Sequence, residues 1–172
     1  MSETPKANMR LTLSIALLTL VLDQASKLAI MDFVMAPPRV IEVLPFFNLV
    51  LVFNKGVSFG VFGGDGSWQA WGLSIMAVVI CIGLLVWQWR HPEGHKAAAV
   101  GLIVGGAIGN VIDRLRLGAV IDFLDLHAAG WHWPAFNVAD SAITLGVLLI
   151  IAVELLSKRP SQDKRSGEGG VE

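Results

Sequence analysis

Charge is scarce in this chain. Asp, Glu, Lys and Arg make up 16% of its 172 residues and leave a formal net charge of −1, so nothing in the balance points to nucleic acid and no nucleic-acid partner is expected. Cysteine is scarcer still. Cys81 stands alone, which excludes an internal disulfide framework and a thiolate metal cluster, and its place in an apolar run reads as packing. No cysteine follows the first apolar run where a lipid could be attached, so the chain is not expected to be a lipoprotein itself. Long polar stretches are also few. Hydrophobic residues account for 54% of the chain and the mean hydropathy is +0.64, the composition of an integral membrane protein. Four spans of roughly 20 residues each leave only short connections. Residues 1–157 therefore read as one four-span domain, and residues 158–172, polar and glycine-rich, as a disordered tail.

The first span is expected over residues 11–31. Lys6 and Arg10 followed by LTLSIALLTLVL resemble the start of a secretory signal peptide. The segment continues through Asp23 and Lys27, however, and its one small-residue site, VMA, is followed by Pro37, which offers no peptide N–H. An uncleaved span is the expectation. The second span, residues 68–89, is uncharged and carries Trp68, Trp71, Trp87 and Trp89 near its ends, as interfacial aromatics do. The third begins after Lys96 and runs to Asp113 and Arg114; the fourth runs from Phe136 to Leu156 with Asp140 and Glu154 its only charges. Lys6, Arg10, Arg90, Lys96, Lys158, Arg159, Lys164 and Arg165 fall on one side, against Arg39, Lys55, Arg114 and Arg116 on the other, which favours both termini in the cytoplasm. Between the first two spans, VIEVLPFFNLVLVFNKGVSFGVFGGDGS is too apolar for an ordinary loop and too interrupted for a span. Alternation of Val52, Asn54 and Gly56 against Phe53 and Lys55 predicts short strands there. The expected fold class is an all-α polytopic membrane protein, four transmembrane helices with a small outer-leaflet, β-containing platform between spans 1 and 2.

Gly101, Gly105 and Gly109, with Gly106 beside them, form a small-xxx-small pattern that lets a neighbouring helix approach. Asn110, Asp113 and Arg114 follow at i, i+3 and i+4 and predict a clamp in which Arg114 and Asn110 hold Asp113. In the fourth span Asn137, Asp140, Ser141 and Thr144 form a polar stripe, with Asp140 about one turn inside. An ionisable group there is costly and marks a function, with Arg114 a candidate neighbour. The third span exits where the fourth re-enters, so Asp122 can meet Asp140 at the outer mouth of the bundle; Asp125 is a rival that spacing does not exclude. Two carboxylates sharing a site hold one proton between them, so that one is a base for water and the other an acid, the chemistry of an aspartic peptidase. Asp125, His127 and His132 match no helical metal-ligand spacing, and Ser141 has no His in its stripe. Asp23 and Lys27, four apart with the acid first, suit an intrahelical pair.

DQASK in the first span, FNKGVSFG in the platform, GGAIGNVIDRLRLGAVIDF across the third span and its exit, and FNVADSAI opening the fourth together resemble the bacterial lipoprotein signal peptidase, signal peptidase II, from about residue 10 to 157. The resemblance implies a multi-pass inner-membrane aspartic endopeptidase with both termini cytoplasmic and its active site at the periplasmic face. Such an enzyme removes the signal peptide of diacylglyceryl-modified prolipoproteins by cleaving before the lipidated lipobox Cys. It implies Asp122 and Asp140 as the catalytic pair, in preference to Asp125. Asn54, Gly56, Asn110, Asp113, Arg114 and Asn137 fall on motif positions that support or bind substrate, and Asp23 and Lys27 match the first-span motif. No metal and no cofactor is expected; membrane lipid and globomycin-type inhibitors are expected partners, and the protein is expected to be monomeric. GVSFG departs from the family pattern at Val57 and Ser58, where a small Ala-containing run is usual. The alternative, a small transporter or channel subunit using Asp122, Asp140 and Arg114 as an ion path, needs polar groups across the bilayer. The inner halves of spans 2 and 4 have only Glu154, and no inverted repeat relates the halves. A non-catalytic assembly factor built on the glycine seam would not need two outer acids.

Overall fold

The computed structural model describes residues 5–56 and 67–157. Val57, Ser58 and the tail from residue 158 onward lie outside them. Four helices, α1 (Pro5–Ala29), α2 (Ser67–Arg90), α3 (Gly94–Leu117) and α4 (Val138–Ser157), are long and apolar enough to cross a membrane. A π-helical turn over Ile30–Val34 continues α1, so the first span reaches from Pro5 to Val34, longer at both ends than the pattern over residues 11–31 indicates. Nothing charged precedes Arg90 in α2, and Ile75, Val79, Ile82 and Trp89 stand exposed on it, as a lipid-facing helix requires.

The central helix is α3. In its most apolar stretch 61% of the residues are buried, against 28% in α1 and 17% in each of α2 and α4. Close backbone approach explains this. A Cβ on Gly101 would come 2.7 Å from Thr12 O, and one on Gly105 would strike the Ala16 carbonyl oxygen, so this face of α3 seats α1. Another face seats α4, where a Cβ on Gly106 would meet Ala139 O at 2.5 Å and one on Gly146 would meet Ala99 O at 2.7 Å. Cys81 is buried against Ala16, Val100 and Val104, in keeping with a packing role. At the end of the bundle remote from the sheet, Lys96 ties Glu93 (2.8 Å) to Glu154 of α4 (3.2 Å) and lies over the Trp87 ring.

Strands β1 (Ile41–Leu44), β2 (Phe47–Asn54), β3 (Val120–Ala128) and β4 (Trp131–His132) form one antiparallel sheet in that order. The platform is therefore not confined to the connection between α1 and α2: half of it comes from the connection between α3 and α4, because β2 and β3 pair with Val52 opposite Asp122 and Asn54 opposite Val120. Gly118, at φ 69°, ends α3 by donating its N–H to Arg114 O at 3.0 Å and turns the chain into β3. Ile121 and Phe123 of β3 then pack on Ile30 and Met35, fixing the sheet to the end of the first span.

Candidate active site

The site is built around the start of α4. Asn137 caps the helix: its Oδ1 accepts the Asp140 N–H at 2.9 Å while Asp140 Oδ2 accepts the Asn137 N–H at 3.2 Å. This reciprocal capping box places Asp140 in the first helical turn, among backbone N–H groups with no intrahelical acceptor. The Asn-x-x-Asp spacing is its sequence signature, which a reading of these residues as a polar stripe passes over. Ser141 Oγ donates to Asn137 O at 2.9 Å and so belongs to the cap. Asp23 reaches over from α1, and its Oδ1 accepts the Ala139 N–H at 2.9 Å.

Asp122 lies across from this cap on β3, 1% exposed. Its Oδ1 accepts from Asn137 Nδ2 at 2.7 Å and its Oδ2 from Asn54 Nδ2 at 2.9 Å. Asn54 is held in that orientation because its Oδ1 accepts the Gly56 N–H at 2.9 Å. Gly56 adopts φ 95°, a conformation L side chains rarely take, and a Cβ there would also strike Leu73. Asn137 thus touches both acids, through its side-chain N–H to Asp122 and its backbone N–H to Asp140. Burial pushes the Asp122 carboxyl up from its usual 3.8 to about 6 against the Asn54 N–H; the charge of Asp140 adds to the rise and the Asn137 N–H opposes it.

Behind the acids, Lys27 joins α1 to α3. Its Nζ lies 2.8 Å from Asp23 Oδ2, 2.7 Å from Asp113 Oδ2 and 3.1 Å from Asn110 Oδ1, and all three ionic side chains are buried. Gln24, which sequence reasoning did not single out although it stands in DQASK, donates to Asp113 Oδ1 at 3.0 Å and Asp23 Oδ2 at 3.2 Å. The Ile121 N–H donates to Asp113 Oδ2 at 3.2 Å, which ties β3 to the same cluster. The Asp23–Lys27 pair is present as the spacing indicates. The expected clamp of Asp113 by Arg114 and Asn110 is not: Asp113 is held by Lys27, Gln24 and the Ile121 N–H. Consecutive helix residues point about 100° apart, so Asp113 turns inward to α1 while Arg114 stays half-buried on a different side. Its Nη1 reaches only Asn110 O, at 3.5 Å, and its Nε has no hydrogen-bond partner among the described residues. Asn110 instead donates from Nδ2 to Asp140 Oδ1 at 2.8 Å.

Asp125 does not join this group. Three positions beyond Asp122 on a strand, it projects from the opposite face, where it accepts from Asn48 Nδ2 at 3.0 Å and meets His132 Nδ1 at 2.9 Å. The bond to His132 holds its carboxyl below the usual range. His127 stacks on His132 with centroids 4.9 Å apart, and among the described residues no three His, Cys, Asp or Glu side chains are grouped to hold a metal ion. Asp23, Lys27, Asn54, Asn110, Asp113, Asp122, Asn137 and Asp140 form one hydrogen-bonded cluster, which Gly56 meets only through Asn54 and Arg114 only at Asn110 O.

A family model described as signal peptidase (SPase) II matches residues 15–156. The lipoprotein signal peptidase of Paraburkholderia phytofirmans is 46% identical over 152 residues, 87% of each chain. That of Burkholderia thailandensis is 44% identical over 146 residues, 83% of this chain and 86% of that one. Two solved bacterial membrane enzymes are similar in structure, each with a TM-score of 0.72: one is 31% identical and aligned over 91% of this chain and 94% of its own, the other 33% identical over 86% and 94%. With the family matched along nearly all of the four-span bundle and its sheet, the chain belongs to the signal peptidase II family and is a multi-pass membrane peptidase.

Proposed function

We propose that this chain is an intramembrane aspartic endopeptidase that removes the signal peptide from diacylglyceryl-modified prolipoproteins by cutting before the lipidated lipobox Cys. The observation that carries the reading is Asn137, whose side-chain and backbone N–H groups bind Asp122 at 2.7 Å and Asp140 at 3.2 Å and so bring two acids to one site at the end of the bundle. Two carboxyls in such a site hold one proton; the ionised member activates water and the protonated member polarises the scissile carbonyl. No cofactor is required. Relatives named lipoprotein signal peptidase support the substrate class. Exposed Phe46, Trp131 and Trp133 on the sheet suit contact with acyl chains and membrane lipid. In this reading residues 1–157 are a monomeric peptidase domain, the sheet end is periplasmic, both termini are cytoplasmic, and globomycin-type inhibitors compete for the site.

The test is incubation of the purified protein with a diacylglyceryl-modified prolipoprotein and with its unlipidated form. Cleavage of the lipidated form alone, before the modified Cys and undiminished by chelators or serine-directed reagents, is expected. Equal cleavage of both forms contradicts the lipid requirement, and a loss with chelator that zinc restores contradicts the acid chemistry.

A further inference from the structure

We propose that Lys27 is a positioning residue for this reaction: acting through Asn110, it fixes Asp140 as the carboxylate that activates water and leaves the proton on Asp122. The proposal rests on the acid-pair reading. An amide side chain has a donor end and an acceptor end, and its partners decide which is which. Lys27 Nζ has only hydrogens to offer, so the Asn110 atom facing it at 3.1 Å is the oxygen. Asn137 Nδ2 faces the same oxygen at 3.2 Å. The orientation of Asn137 is set independently, because its Oδ1 accepts the Asp140 N–H and its Nδ2 donates to Ile121 O at 3.2 Å. Asn110 Nδ2 must then point at Asp140 Oδ1, 2.8 Å away. Lys27 cannot swing aside, since Asp23 and Asp113 hold its ammonium at 2.8 and 2.7 Å.

Asp140 consequently accepts one N–H on each oxygen, from Asn110 and from the Asn137 backbone, at the positive end of α4. Each oxygen thus faces a donor, so Asp140 serves purely as an acceptor in this geometry. The charged groups around it are Arg114 of α3, Asp122 of β3 and, behind Asn110, Lys27 and Asp23 of α1 with Asp113 of α3. Asp122 also accepts two donors, but both are side-chain amides and it is 1% exposed on a strand, whereas Asp140 is half-buried, accepts a backbone N–H and stands within the first turn of α4. The proton therefore resides on Asp122. In the reaction so assigned, the water oxygen bonds to the scissile carbonyl carbon as Asp140 takes a water proton and Asp122 gives its proton to the carbonyl oxygen. Collapse then breaks the C–N bond. Asp140 delivers its proton to the leaving amine nitrogen, and Asp122 regains one from a hydroxyl of the intermediate.

The experiment measures kcat, KM and thermal unfolding in detergent for Asn110→Leu, Lys27→Met, Lys27→Arg, Asp122→Asn and Asp140→Asn, with the infrared carbonyl stretch of protonated carboxyls read in the last two and the parent. Asn110→Leu leaves Lys27 both its carboxylates but takes the donor from Asp140, so kcat per folded molecule should fall by about 100-fold with KM little changed. Lys27→Met should lose rate likewise and Lys27→Arg should recover most of it; because Lys27→Met also strips two buried acids of their partner, Asn110→Leu is the deciding variant. Parent-like kcat in Asn110→Leu, or a loss accounted for wholly by unfolded protein, overturns the proposal. Read near pH 5, below the value of about 6 at which Asp122 titrates, the protonated-carboxyl band should vanish in Asp122→Asn and persist in Asp140→Asn, and the reverse pattern also overturns it. Full turnover by both Asp→Asn variants would instead remove the acid-pair reading, and the proposal with it.

Discussion

Replacing Asp122 with Asn should separate stability from function in a pH-dependent way. The side chain is 1% exposed, and burial pushes its carboxyl to about 6 from the usual 3.8. Between those values the folded protein binds a proton more readily than the unfolded chain, so stability falls as the pH climbs through this window, and the cost is complete above about 6. The difference, about 6 less 3.8 or roughly two units, corresponds to about 3 kcal/mol. Asn is neutral at every pH and removes that cost. Against it, the new amide cannot accept from both Asn54 and Asn137, now at 2.9 and 2.7 Å, so one buried donor is left facing another, at about 1–2 kcal/mol. Asp122→Asn should therefore be more stable than the parent by about 1–2 kcal/mol near pH 8 and no more stable, or less, near pH 4, while cleaving nothing at either pH. Unfolding midpoints in detergent across this range, beside cleavage rates, check it. A variant less stable than the parent near pH 8, or a difference that does not change with pH, refutes the reasoning.

Lys27→Met should cost about 3–5 kcal/mol because it leaves Asp23 and Asp113 buried without their cation. Neutralising both acids in the same chain, with Asp23→Asn and Asp113→Asn, should restore part of that loss; denaturant titration of the single and triple variants measures both. Gly109→Ala drives a Cβ into the Asp23 side chain and should destabilise by about 1–3 kcal/mol. Gly72→Ala, which meets nothing within 4 Å, should be neutral or stabilise by up to about 1 kcal/mol, and the same unfolding assay compares the two. The His132 bond holds the Asp125 carboxyl below its usual 3.8, so it adds stability that is present above that value and lost as the pH falls through the lower folded one. Asp125→Asn should flatten the acid limb of the melting temperature plotted against pH.

Local pattern carried the four spans, since a predominantly apolar stretch of about 20 residues suffices for a bilayer crossing, with Trp at the ends of the second as a further sign, and it carried the Asp23–Lys27 pair, whose partners are one helical turn apart. What it could not carry is tertiary pairing. Asp113 stands beside Arg114 in the chain, but its cation is Lys27 on another helix, 2.7 Å away, and no spacing within α3 reveals this. The sheet was half legible for the same reason: alternation marks β2, but that β3 lies against it, with Val52 opposite Asp122, is a contact between distant segments. That Asp122 and Asp125 stand on opposite faces, with different partners, becomes visible only once β3 is known to be a strand. Asn137 is the opposite case. Its capping box with Asp140 is written in the sequence as N-x-x-D, and the helical stripe was simply the wrong period to read at a helix end.

An aspartic mechanism requires Asp122 and Asp140 to act as a pair, which single-turnover cleavage of a diacylglyceryl-modified prolipoprotein by folded Asp122→Asn, Asp140→Asn and Asp125→Asn proteins measures. Loss of cleavage in the first two, with turnover kept in Asp125→Asn, is the predicted result. Parent-like cleavage by either Asp122→Asn or Asp140→Asn would contradict it.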